Sequence, residues 1–147
     1  MKKFLLLSLI IISFTSICIA ATPKNYTDQF VHRFEVCGAH SETHSTQVPT
    51  RVKNPSIFNL KITESVVGIR NGKCAVKSTV YCEELKKDIF IVDCAFNQQQ
   101  RTALIAKMKA AKNNQAEYQK LQETMNNYIK NRPDVCRYRN LLEEDDD

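Results

Sequence analysis

The sequence predicts an α+β fold: a three-stranded antiparallel meander packed by an N-terminal helix and one or two C-terminal helices, stabilised by disulfides. Three observations predict it. Asn71-Gly72 sits between two runs rich in β-branched residues, the strongest short-range hairpin signal, because a type I′ turn needs positive φ at both central positions. The text from Asn97 to Arg132 contains neither Gly nor Pro and is rich in Ala, Gln, Lys, Leu and Met, which favours helix. Five cysteines lie beyond residue 20 of a chain that begins with an export signal.

That signal occupies residues 1–20: Lys2 and Lys3, an apolar run from Phe4 to Ile12, and Cys18-Ile19-Ala20 before Ala21. The run is interrupted by Ser8, Ser13, Thr15 and Ser16 and falls short of the roughly 20 apolar residues of a spanning helix, so cleavage after Ala20 is expected, with no stable membrane span afterwards. Ile17 before Cys18 is not the small residue that a lipoprotein signal wants. The expected location is periplasmic or secreted. Residues 21–142 then form a single α+β domain, a length that suits one core, and 143–147 form an acidic disordered tail.

The elements follow in order. Thr27 and Asp28 begin a helix whose Phe30, Val31, Phe34 and Cys37 share a face and which Gly38 stops. The competing strand, with Phe30, His32, Phe34 and Val36 on one side, would place a histidine in the core. Residues 38–56, with Ser41, Thr43, Ser45, Thr46, Pro49 and Pro55, read as a loop. Ile57–Arg70 and Lys73–Cys82 make the hairpin, and a two-residue turn pairs Ile69 with Cys74, Val67 with Val76, Ser65 with Ser78 and Thr63 with Val80. Val67, Ile69, Cys74, Val76, Val80 and Cys82 then share one face. A third strand covers 88–96, where Phe90, Val92, Cys94 and Phe96 alternate with Ile89, Ile91, Asp93 and Ala95; Asp93 faces away from the cysteines. In the helical text, the stripe Leu104, Ile105, Met108 and Ala111 and the stripe Leu121, Met125, Tyr128 and Ile129 are separated by a polar stretch from Lys112 to Gln115, a candidate break. Pro133 ends the helix, and Cys136 is placed to tie the chain end back to the body.

Loss of Lys2 and Lys3 leaves 19 Lys+Arg against 16 Asp+Glu, a net charge of +3. Glu143 to Asp147 hold five of those acids, so the body up to residue 142 stands near +8, with 19 positive and 11 negative groups. A basic body attracts anionic partners without specifying one. Specific nucleic-acid binding is not expected, and with three glycines in the chain there is no phosphate-cradling loop, which excludes the common nucleotide enzymes. No catalytic residues are assigned. An unknown envelope or extracellular partner, anionic by this charge, is the expectation.

Cys37, Cys74, Cys82, Cys94 and Cys136 are all disulfide candidates, and five is odd, so two bonds and one spare thiol are expected. Cys74 and Cys82 lie about 26 Å apart on one extended strand and cannot bond each other. Cys74 can face Cys94 on the third strand, while Cys37 and Cys136 reach in from the helices as partners for Cys82 or Cys94. All three histidines fall near one of these cysteines: Cys37-x2-His40-x3-His44, with Glu42 between, has the donor types of a zinc or copper site. An oxidising compartment favours a disulfide at Cys37 over a thiolate ligand.

Gly68-Ile69-Arg70-Asn71-Gly72-Lys73-Cys74, with Cys37 upstream and Cys94-Ala95-Phe96 leading into a helix, resembles a pattern in small exported bacterial proteins of unknown function. The likeness spans residues 26 to 108 and leaves out Cys82, Cys136 and the acidic tail. It implies a bacterial exported domain and no activity. The functional expectation is a small non-enzymatic binding or structural module of the bacterial envelope; the alternative is a metal-binding periplasmic protein using Cys37, His40 and His44.

Overall fold

The computed structural model describes residues 26–50, 54 and 56–142. The expected signal segment, residues 1–20, and the expected acidic tail, 143–147, lie outside the described residues. A five-stranded antiparallel sheet of order β1-β2-β3-β4-β5 carries three helices on one side. Two of its strands correct the three-strand expectation.

Helix α1 spans Asp28–Val36, and Thr27 caps it by accepting the Phe30 N–H. It buries Phe30, Val31 and Phe34, the face that the spacing predicts. Gly38 was the expected stop, but Cys37 takes the left-handed conformation, φ 51°, while the Gly38 N–H returns to the Arg33 carbonyl. A non-glycine residue in that region is uncommon, and a disulfide to Cys74 holds this one in place.

Strand β1, His40–Pro49, occupies the stretch expected to be a loop. Its inward side chains include His40, Glu42, His44 and Thr46, so no apolar alternation marks it. What makes it a strand is an unbroken register with β2, from His40 opposite Val66 to Pro49 opposite Ile57. Strand β2, Ile57–Arg70, is 14 residues long, extending past the end of β3, Lys73–Cys82.

The Asn71-Gly72 turn forms as expected, with φ 50° and 74°, and Ile69 pairs with Cys74. The next pairs do not. A bulge between Val66 and Gly68 shifts the register by one residue, so Val66, Glu64 and Ile62 face Val76, Ser78 and Val80 in place of Val67, Ser65 and Thr63. Gly68 has φ 117°, which L-residues rarely adopt, and a one-residue slip turns every following side chain to the other face. Val66 therefore enters the core, 2% exposed, while Ile69 at the sheet end is 61% exposed.

Strand β4, Lys87–Phe96, pairs with β3 and leads into α2, Gln98–Ala111, through a capping box in which Asn97 and Gln100 satisfy each other's backbone N–H groups. The polar stretch after Ala111 is a true break: Asn113 has φ 60°, and Asn114 caps α3, Gln115–Asn131. Beyond Pro133 the chain returns as β5, Cys136–Asn140, beside β4. The tie expected from Cys136 is thus a strand as well as a disulfide.

The main core lies between the helices and the even-numbered side of the strands, where Val66, Cys74, Val92, Cys94, Phe96 and Cys136 meet Phe30, Phe34, Leu104, Ile105 and Leu121. Phe96 is central, edge-on to Phe34 at 5.9 Å and to Tyr128 at 5.5 Å. A smaller cluster of Val48, Leu60, Val80, Cys82 and Ile89 fills the other end of the sheet. Among the described residues no helix is long and apolar enough to cross a membrane.

Candidate functional site

Two disulfides use four of the five cysteines among the described residues. Cys37 bonds Cys74, with Cα atoms 5.7 Å apart, and Cys94 bonds Cys136, directly opposite it on β5, at 4.1 Å. The pairing of Cys74 with Cys94 does not occur: Cys74 faces Phe96, and Cys94 faces Val76, so the two are diagonal and each has a nearer partner. Nor does Cys37 or Cys136 reach Cys82, which remains a free thiol with no exposed surface. Burial pushes the Cys82 thiol pKa up, and the neighbouring Glu84 carboxylate, 3.5 Å from Sγ, adds to the shift. It stays protonated and inert at neutral pH.

The expected metal cluster is dispersed in part. The Cys37 sulfur is committed to Cys74, while His40 and His44 share the inward side of β1 with Glu42. Glu42 is the hub: His40 Nε2 lies 2.9 Å from its Oε1, and the Thr27 hydroxyl at the start of α1 donates to the same oxygen. Directly across the strand pair stands Glu64, which accepts from the Tyr26 hydroxyl at 3.5 Å. This network fastens the first turn of α1 to the sheet. Among the described residues no three His, Cys, Asp or Glu side chains gather closely enough to hold a metal ion.

Next to Tyr26 a shallow cleft of about 370 Å³ opens between α1 and the α2–α3 corner, floored by Val31, Met108 and Ala111. Lys109–Glu35 and Lys112–Asp28 ion pairs span its rim, at 3.3 and 2.7 Å. Lys109 and the α2 C-cap Lys112 thus hold α2 against α1.

The opposite side of the sheet is different. All core residues of the strands that meet the helices are even-numbered, and the odd-numbered side of β1, β3 and β5, with the residues across from them, has no described element over it. On its β1–β2 half, side chains bond across the strands: Ser41 to Ser65 at 2.9 Å, Thr43 to Thr63 at 2.8 Å, and Gln47 to Asn59 at 2.9 Å. On its β3–β5 half it is basic. Lys77, Asp93 and Arg137 lie in one row across the sheet, Arg139 stands opposite Ile91 in the next, and Arg70 pairs with Lys73 at the hairpin end. Between Lys73 and Lys77 the floor is a row of small residues, Gly68, Ala75 and Ala95. Arg70, Lys73, Lys77, Arg137 and Arg139 form no ion pair among the described residues, whereas Lys109 and Lys120 on the helices and the C-cap residues Lys112 and Arg132 each hold a carboxylate within 3.3 Å.

Sequence reasoning located the net positive charge but not this face, because β5 was unassigned. The alternation of Cys136, Tyr138 and Asn140 with Arg137 and Arg139 is the period-2 signal that would have found it. Compared with protein-family models, curated proteins and solved structures, the chain matches none.

Proposed function

We propose that this chain is a small exported, non-enzymatic binding module whose open sheet face engages an anionic partner of the bacterial envelope. The observation that carries the reading is the set of five cations that form no ion pair among the described residues, Arg70, Lys73, Lys77, Arg137 and Arg139, on a face where Asp93 is the one acid in their rows and Gly68, Ala75 and Ala95 lie between Lys73 and Lys77. Strands β3 and β5 are two spacings apart, about 9.6 Å, so the cations are spread across a surface, an arrangement suited to an extended polyanion. Five cations against the single carboxylate of Asp93 leave the face with net positive charge, and an external polyanion relieves the repulsion among them. Export is supported by the leader-like residues 1–20 and by two disulfides, which persist in oxidising compartments. The likeness to small exported bacterial proteins points the same way.

The test is retention on an immobilised sulfated polysaccharide across a salt gradient. The triple variant Lys77→Glu/Arg137→Glu/Arg139→Glu is expected to lose at least about tenfold in affinity, the equivalent of about 1.4 kcal/mol, with a shallower salt dependence. Lys107→Glu/Lys120→Glu on the helices serves as the control and leaves retention close to that of the parent. Failure of the parent to be retained at low ionic strength removes the reading.

The competing reading is a zinc or copper site on Cys37, His40 and His44, which needs the Cys37–Cys74 bond to be open. It is separated from the first by metal analysis of the purified protein before and after reduction. Stoichiometric metal that disappears in His40→Ala/His44→Ala supports it.

A further inference from the structure

The two edges of the sheet are built differently, and the difference concerns what can join them. An edge strand presents unpaired backbone N–H and C=O groups, and proteins blunt such edges with short length, lysine or arginine, proline or a bulge. Strand β5 has two of these protections: it is five residues long and carries Arg137 and Arg139. Strand β1 has no lysine, arginine, proline or bulge between His40 and Val48, and its one protection is the inward carboxylate of Glu42. It is ten residues long, its register with β2 contains no bulge, its first proline is Pro49, and Glu42 is the one carboxylate or basic Lys/Arg group on it.

The direction of its backbone groups follows from one bond. The Thr50 N–H donates to the Ser56 carbonyl at 2.8 Å, so by alternation the even-numbered residues of β1 turn their backbone groups toward β2. Ser41, Thr43, Ser45 and Gln47 therefore aim theirs outward, away from β2. Among the described residues no strand pairs with that side.

We propose that β1 pairs antiparallel with β1 of a second copy of this chain, about a two-fold axis at Thr43, joining the two sheets into one of ten strands. Self-complementarity selects this occupant. With Thr43 opposite Thr43 of the second copy, odd-numbered residues meet odd-numbered ones, which matches the outward backbone groups on both strands. Ser41 then faces Ser45 of the second copy, so the hydroxyl pairs repeat those already made by Ser41 with Ser65 and Thr43 with Thr63. On the inward side Glu42 faces His44 of the second copy, twice over, and no like charges are opposed. A two-fold axis perpendicular to the sheet leaves both basic faces on one side of the joined sheet. This interface does not depend on what those faces bind.

Sedimentation velocity of the purified protein over a concentration series tests it. The parent is expected to sediment as a dimer, and Thr43→Pro, which removes an outward N–H and leaves the bonds to β2 in place, is expected to be monomeric with both disulfides formed. Should Thr43→Pro fail to fold, cysteine crosslinking decides. Thr43 pairs at a Cα separation of about 5.5 Å, inside the range a disulfide needs, so Thr43→Cys is expected to give a disulfide-linked dimer under oxidation while Arg139→Cys on the β5 edge is not. A parent that is monomeric at every concentration, a folded Thr43→Pro that remains dimeric, or equal crosslinking from both edges overturns the proposal.

Discussion

The two ends of the sheet's inner side are held by different means. At one end three helices bury Phe34, Phe96 and Leu104, and two disulfides close loops over sequence separations of 37 and 42 residues. At the other end Val48, Leu60, Val80, Cys82 and Ile89 form a small cluster, closed by Glu84, whose carboxylate accepts from the Asn59 backbone N–H at 2.9 Å and from its side-chain amide at 2.5 Å. The difference teaches where cooperativity resides. A large core with covalent links opens only with the whole fold, while a small cluster under a turn can open locally.

The largest effect expected is at the helix-covered end. Cys94→Ala/Cys136→Ala releases a long loop in the unfolded chain and is expected to cost about 4 kcal/mol, read as a shift in the urea midpoint. Phe96→Ala, which empties the contact between α1, α3 and the sheet, is expected to cost a similar 3 to 5 kcal/mol, on the order of a fully buried Phe elsewhere. If either change left the midpoint in place, the distinction between the ends would fail.

Leu60→Ala at the other end is expected to cost less, about 2 to 3 kcal/mol, and to have a second signature. Cys82 reports on that end: alkylation of its thiol in native buffer should be slow in the parent and faster in Leu60→Ala, without a matching rise in global unfolding. Cys82→Ser puts a hydroxyl in an apolar site and is expected to cost about 1 to 2 kcal/mol. The raised thiol pKa gives that end an alkaline dependence. Its contribution is complete below the unfolded thiol pKa and is lost as pH rises toward the higher folded value, and Cys82→Ala should remove that decline.

The smallest effect belongs to Glu84. Burial pushes its pKa up, but the hydrogen bonds from Asn59 outweigh burial and hold the carboxyl below its usual range. A depressed folded pKa contributes stability above the unfolded value, which is lost as pH falls through the folded one. Glu84→Gln should therefore lower stability slightly at neutral pH and flatten its decline toward acid, read as urea midpoints across a pH series.

Much of the fold was legible because its signals are local. The Asn71-Gly72 turn, the capping residues Thr27 and Asn97, the apolar stripes of α2 and α3 and the Lys112–Gln115 break all act within one or two turns of chain. Strand β1 was not legible, since its inward His40, Glu42, His44 and Thr46 carry no hydrophobic period; its partner β2 makes it a strand. The candidate site followed the same division. The sequence showed a basic body and an odd cysteine count, but which cations share a face required the register of β3, β4 and β5.

By itself, the sequence determined an α+β chain with a hairpin at Asn71-Gly72, helices on either side of it in sequence, and one thiol left over among Cys37, Cys74, Cys82, Cys94 and Cys136. Turn chemistry, capping and helical periodicity depend on neighbours in the chain, so they could be read there. Tertiary structure alone decided that Cys82 is the spare, that Cys37 is bonded to Cys74, and that the bulge at Gly68 turns Val66 inward. Those outcomes depend on which residues lie opposite one another across strands, and a one-residue shift reverses every face.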